Sequence, residues 1–404
     1  MGSGGFLRTR VALLAGESAH GVAEFDEVKV RLVRFLHERL GYDVLAFESP
    51  LVECTTSGWR ARELTPRALM ERCVWGVWRV REVLPLFAYV KATTRRPGPL
   101  RLAGVDVQTG ASTAAAERPA FFSDIVGRAD PAYARRVFAL DSTVVAGVQA
   151  VWPGSGRAWE PPESEGEAVR AGYDSLTRWL TAHDAALRAA GNAPQRLLLA
   201  RQAARALARF VPSSPGSRDR GMAENVAFLL DSLYPGRKVI LWAHNAHVRH
   251  HTPNVAFLTD ARPRSMGSWL AEARRREVYT VGVYMHGGRT WVARDGEVPV
   301  RTPEPGSLEA LLHATGYTAA FLPVGGVAGA PDGAWLHAPV VTWDWGRTRD
   351  PLVLAAEYDA VLFVDHVRPP VHLPPEPAVA PPTPGVRRTR HGAAAAPGDR
   401  ERPP

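Results

Sequence analysis

The chain has 404 residues, of which 46% are hydrophobic and 22% are charged. This length allows a substantial core in one large domain or two average ones, and the composition excludes a largely disordered or fibrous protein. Only three of the 49 basic residues behind the net charge of +8 are lysines, and no basic stripe with interleaved aromatic residues is present, so we expect no nucleic-acid partner.

The cysteines and the N-terminus indicate where the protein resides. Cys54 and Cys73 are the only cysteines and form no CxxC pair, which predicts neither a disulfide framework nor a zinc site and suits a reducing cytoplasm. The apolar run 11–15 is too short for a signal peptide, and no stretch approaches the length of a membrane span. We therefore expect a cytoplasmic protein without a membrane partner.

The first predicted unit is a strand, a helix and a second strand. The strand ends at Gly16, and apolar residues then recur at helical spacing: Val28, Leu32, Phe35 and Leu36. This spacing places Lys29 on another face of the helix. The helix ends at Gly41, and residues 42–47 read as the next strand. The two strands should be parallel, with a right-handed crossover.

The remaining elements complete an α/β pattern. Residues 60–89 are predicted to be helical, with a kink or break at Pro85. Residues 112–235 read as a helical insertion, and 290–300 as a hairpin. Further strands are predicted over 100–107, 238–242, 278–284 and 358–364. We predict an α/β fold with a mostly parallel central sheet flanked by helices, in which the insertion covers the C-terminal edge of the strands.

The predicted domain spans residues 1–367, and a tail follows over 368–404. The last 37 residues contain 11 of the 34 prolines, together with arginines and an alanine run. Such a segment buries too little apolar surface to offset the entropy lost on ordering. We therefore expect this tail to be disordered.

Titratable side chains lie at the ends of four of the predicted strands or directly after them. They are Glu17 with His20, Glu48, Asp106, and His244 with His247. Taken singly, each has an ordinary structural explanation, such as a helix cap or an ion pair. Because ligands bind beyond the carboxyl ends of the strands in open α/β sheets, their joint placement at one edge predicts an active site.

Three chemistries fit this set of residues. In the first, a histidine acts as general base on water and a carboxylate orients it. In the second, Glu17, His20, Glu48, His244 and His247 bind a divalent metal that activates the water. In the third, Ser18 is a nucleophile, because residues 16–20 resemble the GxSxG elbow, although His20 replaces the final glycine.

Several motifs together resemble one known family. The chain contains Gly16-Glu-Ser-Ala-His-Gly21, Phe47-Glu-Ser49, Arg218-Asp-Arg-Gly-Met-Ala-Glu-Asn225 and His244-Asn-Ala-His247, in this order. This set resembles the erythromycin esterase family, and the resemblance spans most of residues 10–367. Family members open the macrolactone ring of macrolide antibiotics by hydrolysis, and a covalent intermediate is not required.

The resemblance implies a role for each motif residue. His20 would be the general base, and Glu17, Glu48, His244 and His247 would position the water and support charge on the carbonyl oxygen. It also implies a group of substrate-binding residues: Lys29, Asp106, Arg218, Glu224 and Asn225. Lys29 stands where some members have arginine, which keeps the charge and loses the bidentate fork.

The favoured interpretation is a metal-independent carboxylic ester hydrolase that needs no cofactor. Its expected partner is a small-molecule ester, with a macrolide as the favoured substrate class and antibiotic inactivation as the favoured role. Two alternatives stay open at this point. One is a metal-dependent hydrolase that uses the same glutamates and histidines as ligands, and the other is a protein that binds a small molecule without turning it over.

Overall fold

The computed structural model describes residues 10–109, 112–151, 159–210, 215–250 and 264–374. The compact unit ends at Leu373. Every helix within these ranges is too short or too polar to cross a bilayer.

Ten strands lie in the described ranges, and eight of them form one sheet. In chain order they are β1 (Ala12–Ala15), β2 (Tyr42–Pro50), β3 (Arg101–Asp106), β4 (Lys238–Trp242), β5 (Val278–Val292), β6 (Gly296–Pro299), β7 (Ala319–Leu322), β8 (Val340–Asp344), β9 (Thr348–Leu352) and β10 (Ala360–Val367). The sheet order is β3-β2-β4-β1-β5-β10-β7, with β6 paired to β5. Strands β8 and β9 form a separate antiparallel hairpin.

The sheet is mostly parallel, as the sequence predicts. Strand β1 lies between β4 and β5 and pairs in parallel with both. All four residues of β1 are buried, which is typical of a strand covered on both faces by helices. Strand β7 is the antiparallel edge, and β5 with β6 forms the predicted hairpin. The predicted α/β fold class is therefore confirmed.

Fifteen α-helices lie in the described ranges. They are α1 (Ala23–Leu40), α2 (Leu51–Trp59), α3 (Pro66–Cys73), α4 (Leu84–Thr93), α5 (Arg118–Gly127), α6 (Pro131–Val151), α7 (Glu163–Ala182), α8 (Asp184–Ala189), α9 (Pro194–Phe210), α10 (Pro215–Phe228), α11 (Asn245–Val248), α12 (Met266–Arg274), α13 (Leu308–His313), α14 (Val324–Val327) and α15 (Leu354–Glu357). Between β3 and β4 the described residues form helices and no strand, which agrees with the predicted insertion over 112–235.

The region 60–89 contains two helices rather than one. Pro66 and Pro85 each lie in the first turn of a helix, α3 and α4 respectively. A proline is tolerated there because the first amide hydrogens of a helix have no intrahelical partner. Of the predicted kink or break, the structure shows a break: α3 ends at Cys73, and Pro85 lies in the first turn of α4.

Helix α1 forms where the sequence predicts it, but its buried face is different. Gly41 ends the helix in the left-handed conformation, with φ 71°, and its N–H donates to the carbonyl of Leu36. Lys29 is buried, whereas Phe35 is 50% exposed. The apolar spacing does not reveal this rotation, because Lys29 is buried against a carboxylate from another element.

Two further expectations are corrected by the structure. Residues 368–373 belong to the folded unit. Arg368 pairs with Glu82, and an antiparallel β-bridge joins His372 to Val80. Composition does not register such pairing, and residues 375–404 of the predicted tail lie outside the described residues. Cys54 and Cys73 form a disulfide, so free thiols no longer support the cytoplasmic prediction.

Candidate active site

The carboxyl ends of the central parallel strands bring the predicted residues to one edge. Ala15 and Phe47 both pair with Trp242, so β1, β2 and β4 end at the same level. Glu17 and His244 follow the ends of β1 and β4, and Glu48 lies in β2 directly after its last residue paired with β4. All three are buried.

Gly16 allows β1 to end against the start of α11. A Cβ atom at Gly16 would lie 2.1 Å from Oδ1 of Asn245, so only glycine fits there. Asn245 donates its backbone N–H to the Glu17 carbonyl at 2.8 Å and its side-chain amide to the Val283 carbonyl at 3.0 Å. Asn245 thereby fixes the loop that carries His244 and His247 relative to β1 and β5.

The carboxylate of Glu17 accepts three hydrogen bonds. Oε1 accepts from Nδ1 of His20 at 2.7 Å and from Nε1 of Trp78 at 2.9 Å, and Oε2 accepts from Nζ of Lys29 at 2.5 Å. Because an ionised carboxylate only accepts, Nδ1 of His20 carries the proton, and Nε2 is the nitrogen free to accept one. The contact with Glu17 therefore orients His20 as a general base would need to be oriented.

The pKa of Glu17 is lowered, which keeps this carboxylate ionised. Burial alone would raise it, but the Lys29 charge and the hydrogen bond from His20 more than compensate. The pKa of the Lys29 ammonium is lowered by the same burial, and Glu17 opposes that shift. Each of the two buried groups, the Glu17 carboxylate and the Lys29 ammonium, therefore helps to keep the other charged.

Aromatic rings surround His20. Trp78 and Trp345 each meet its ring edge-on with centroids 5.0 Å away, and the His244 ring lies at 5.1 Å. Trp345 also stacks on His244 at 4.8 Å. It is the one non-glycine residue of the described ranges with positive φ, 56°. A left-handed backbone costs about 1–2 kcal/mol for such a residue. Here this conformation places the indole ring against His20 and His244.

A second group of charges centres on Glu48 and Arg218. The Arg218 guanidinium, on α10, donates to Oε1 of Glu48 at 2.8 Å and to both oxygens of Asp106 at 3.1 and 2.6 Å. His247 lies 3.2 Å from the same Glu48 oxygen through Nε2, and Nδ1 contacts Asp219 at 2.8 Å. The insertion thus supplies Arg218 and Asp219 to the strand edge.

Charge states in this second group follow from its contacts. Burial would raise the pKa of Glu48, but His247 and Arg218 hold it well below its usual range. Burial would lower the pKa of His247, but Glu48 and Asp219 raise it to about 10. His247 is therefore an imidazolium near neutral pH and donates from both ring nitrogens.

His244 differs from His247 in charge. Its Nδ1 accepts from the N–H of Ala246 at 3.1 Å, and its Nε2 faces the Ser18 carbonyl at 3.3 Å and Asp344 at 3.5 Å. Burial, and then the proximity of His20, lower the pKa of His244 well below its usual range, so the ring is neutral. Burial, followed by the charge of Asp350, raises the pKa of Asp344 to about 7.

Comparison with known proteins identifies the family of the chain. The family model described as erythromycin esterase matches residues 37–367. The chain belongs to the erythromycin esterase family. The putative hydrolase YbfO of Bacillus subtilis (strain 168) is 28% identical over 386 residues, which cover 88% of this chain and 83% of the relative.

Two solved structures are similar in fold. A Bacillus cereus protein is 16% identical and aligns with a TM-score of 0.74 over 92% of both chains. A mutant of the erythromycin esterase EreC in its open conformation is 20% identical, with a TM-score of 0.65 over 91% of this chain and 93% of the other. The family match begins after residues 17–29, so the roles of Glu17, His20 and Lys29 depend on the geometry above.

Some motif residues of this erythromycin esterase family member do not face a ligand. Lys29 is 1% exposed, and its ammonium bonds to the Glu17 carboxylate. Asp106 is equally buried and holds Arg218. Of the predicted substrate-binding residues, Arg218 remains partly exposed beside Glu48.

Glu224 and Asn225 are not brought to the strand edge either. Glu224 pairs with Arg209 and Arg220 within the insertion. Asn225 is fully buried and links the Val105 carbonyl to Gln202. A motif preserves structural residues as well as functional ones, and the sequence does not separate the two. These contacts do not favour direct contact with a substrate, and their role in substrate binding stays a prediction.

The geometry disfavours the nucleophile alternative. The side chain of Ser18 is buried, and its Oγ has no hydrogen-bond partner among the described residues. His20 directs Nδ1 to Glu17 and not to this hydroxyl. Ser18 instead contributes its backbone, because its carbonyl accepts the N–H of Trp345 at 2.7 Å.

The glutamates and histidines at the strand edge also suit proton transfer better than metal binding. Each of the two glutamates already bonds to a protein cation, Glu17 to Lys29 and Glu48 to Arg218. His247 is protonated near neutral pH, and a metal ligand must be deprotonated. A divalent ion here would have to displace three internal cations.

One cavity in the described part of the insertion has a largely charged lining. It has a volume of about 670 Å³ and is bordered mainly by arginines: Arg170, Arg178, Arg205, Arg209 and Arg220. His20 and Glu48 do not line it. Residues 211–214 and 251–263, which adjoin Arg218 and His247 in sequence, lie outside the described residues.

Sequence reasoning missed several residues of this site: Trp78, Asp219, Asn245, Asp344 and Trp345. Asp219 and Asn245 stand inside motifs that were recognised, directly after Arg218 and His244, so their position was a usable signal. The other three come from segments without a polar motif. Only the tertiary fold brings them to His20 and His244.

Proposed function

We propose that this protein is a hydrolase that cleaves a carboxylic ester, with His20 as the general base. Membership of the erythromycin esterase family supports a hydrolase. The observation that favours His20 is its 2.7 Å contact with Glu17, whose other oxygen is held by Lys29. A base that is oriented and electrostatically supported in this way typically contributes 10²–10⁴-fold to a rate.

In the proposed reaction, a water molecule attacks the ester carbonyl carbon while Nε2 of His20 accepts one of its protons. Glu17 stabilises the imidazolium that forms, because its carboxylate accepts from Nδ1. When the tetrahedral intermediate collapses, the bond to the alcohol oxygen breaks. His20 returns the proton to that oxygen, and the products are a carboxylic acid and an alcohol.

The cationic side of the site would stabilise the negative charge that develops on the carbonyl oxygen. His247 and Arg218 are partly exposed, and both are fixed by Glu48. Donors that are held in place before the reaction stabilise such charge without reorganisation. Neutral His244, stacked on Trp345, would form the adjoining wall.

The proposed substrate class is a macrolactone of the macrolide type, and the proposed role is antibiotic inactivation in the cytoplasm. The family match and the fold shared with EreC support this substrate class. A lactone presents the same carbonyl chemistry as an open ester, so the reaction above applies to both. The substrate class and the reaction can therefore be tested separately.

The test is incubation of the purified protein with a panel of macrolides and simple esters, followed by mass measurement of the products. We expect a gain of one water on at least one macrolide. His20→Gln should abolish this gain, and Ser18→Ala should retain it. The matched control is His337→Gln, which alters an exposed histidine on the surface.

Two outcomes would contradict the proposal. If no ester or lactone gains water, the protein is not such a hydrolase. If turnover is lost in a chelator and restored by one divalent ion while His20→Gln remains active, the metal-dependent alternative is correct. Circular dichroism of each variant would establish that any loss of turnover is not a loss of fold.

A further inference from the structure

Two histidines and an aspartate meet at β5 and β10, on the opposite side of β1 from β2 and β4. His286 lies on β5, Asp365 lies on the neighbouring parallel strand β10, and His313 ends helix α13. The register pairs Met285 with Val364 and Gly287 with His366, which places His286 beside Asp365. Helix α13 packs against both strands and directs His313 to the same point.

The donor atoms of these three residues converge. One ligand atom from each lies within 4.8 Å of the other two. Nδ1 of His286 is 3.7 Å from Oδ1 of Asp365, and Nδ1 of His313 is 2.6 Å from the same oxygen. Bonds of about 2.0–2.1 Å in tetrahedral geometry separate the donors around a zinc ion by about 3.3 Å. The two separations from Oδ1 of Asp365, 2.6 and 3.7 Å, lie on either side of this value.

One of the donors lacks a partner. Nδ1 of His286 is buried and makes no hydrogen bond among the described residues. A buried polar atom without a partner costs free energy, so such atoms are rare unless something else binds them. The unpartnered nitrogen faces Asp365, where an ion bound by all three residues would lie.

The stacking of the two imidazole rings would change when an ion binds. The His286 and His313 rings stack in parallel, with centroids 3.7 Å apart and planes 4° from parallel. Because an imidazole nitrogen binds a metal in the plane of its ring, the two lone pairs do not meet at one point in this arrangement. The His313 side chain is 46% exposed, so its ring would turn out of the stack to bind the ion beside Asp365.

We propose that His286, His313 and Asp365 form a binding site for one divalent transition-metal ion of the zinc type. Imidazole nitrogens and a carboxylate oxygen are ligands that zinc prefers, and three protein ligands leave a position for water. The ion would take the place of the hydrogen bond between His313 and Asp365. His366 donates to the other Asp365 oxygen at 3.0 Å and would orient that ligand.

Such an ion would connect β5, β10 and α13. His313 and Asp365 are separated by 52 residues along the chain, so the ion would cross-link distant parts of it. The proposed hydrolytic reaction does not use any of the three ligands. Binding of the ion and turnover of an ester are therefore independent properties.

The test uses the full chain without a polyhistidine tag, stripped of metal with a chelator. Calorimetric titration with Zn²⁺ should show one equivalent bound, and Co²⁺ should give the visible absorption bands of a site with few ligands. His313→Gln, His286→Gln and Asp365→Asn should each weaken Zn²⁺ affinity at least about 100-fold, because even an outer-shell substitution costs 10–100-fold. His366→Gln should weaken it by about tenfold.

Two controls make the result specific. His337→Gln removes another exposed histidine and should leave Zn²⁺ affinity unchanged. His20→Gln should also leave it unchanged, because the proposed metal site and the proposed base are separate. The thermal midpoint should rise with Zn²⁺ in the wild type and not in His313→Gln.

The proposal is overturned if the stripped chain binds no Zn²⁺, or if it binds Zn²⁺ equally well after substitution of any of the three ligands. It is also overturned if His20→Gln or a Glu48 variant abolishes binding, since the ion would then lie at the strand-end site. Loss of ester turnover alone would leave the binding result unaffected, so the two proposals fail independently.

Discussion

Replacing Lys29 by methionine should destabilise the fold and slow ester hydrolysis together. The side chains of Lys29 and Glu17 are each 1% exposed, and Nζ of Lys29 lies 2.5 Å from Oε2 of Glu17. Methionine has a similar length and removes only the charge and the donor. The buried carboxylate is then left without its cation, and the hydrogen bond that orients His20 weakens as the pKa of Glu17 rises.

The size of the effect follows from the contact. At an effective dielectric constant of about 20, unit charges 2.5 Å apart attract by about 7 kcal/mol, and the desolvation of two buried ions offsets much of this. Removal of one partner of a buried pair typically costs about 3–5 kcal/mol. Lys29→Met should therefore lower the free energy of unfolding by about this amount, and kcat/KM by up to about 10²-fold.

Urea unfolding and ester hydrolysis would be measured for Lys29→Met, Glu17→Gln and the double variant. Because neither charge is left alone, the double variant should be more stable than the sum of the single losses predicts, by about 1–3 kcal/mol. Its activity should not recover, since His20 still lacks its carboxylate.

The matched control is Arg34→Met on the same helix. Arg34 is 55% exposed and contacts Glu38 at 4.0 Å, so its removal should change the free energy of unfolding by less than about 1 kcal/mol. The reasoning is refuted if the losses of the two single variants are additive. It is also refuted if Lys29→Met has wild-type stability.

Three other predictions concern charge, strain and the buried core. The stability that His247 gains from Glu48 is fully present below its ordinary pKa of 6.5 and is lost as the pH rises through about 10, so His247→Gln should flatten the fall in unfolding free energy over that range. Trp345→Gly should change the free energy of unfolding by less than about 1 kcal/mol, because relief at φ 56° offsets lost packing, and should lower kcat/KM at least about tenfold by loosening His20. Arg118→Met should lower the free energy of unfolding in urea by about 3–5 kcal/mol, since it leaves the buried carboxylates of Glu53 and Asp141 without their cation. A wild-type pH profile of stability in His247→Gln would contradict the first prediction. Undiminished turnover by Trp345→Gly would contradict the second, and unchanged stability of Arg118→Met the third.

The order of strands and helices could be predicted because it follows from the spacing of apolar residues along the sequence. Short apolar runs that end in glycine or in polar residues marked β1, β2 and β4, and the residues after them met at one edge as parallel strands require. Glu17, Glu48 and His244 were found for this reason. Their sequence positions alone were sufficient.

The parts that failed depend on long-range pairing. The sequence places Lys29 off the apolar face of its helix and does not reveal its burial, because its partner Glu17 is 12 residues earlier and lies outside that helix. The bond between Asn225 and Gln202, 23 residues apart, is not visible in the motif that contains Asn225. Trp345 comes from a loop far along the chain, and no local pattern indicates that it reaches His20.

The most direct test of the central claim is the rate of ester hydrolysis by His20→Gln, measured on a substrate that the wild type turns over and at equal folded fraction. If His20 is the general base, kcat should fall by about 10²–10⁴-fold, while Ser18→Ala stays within a few-fold of the wild type. A His20→Gln enzyme that keeps the wild-type rate would contradict the assignment of the base.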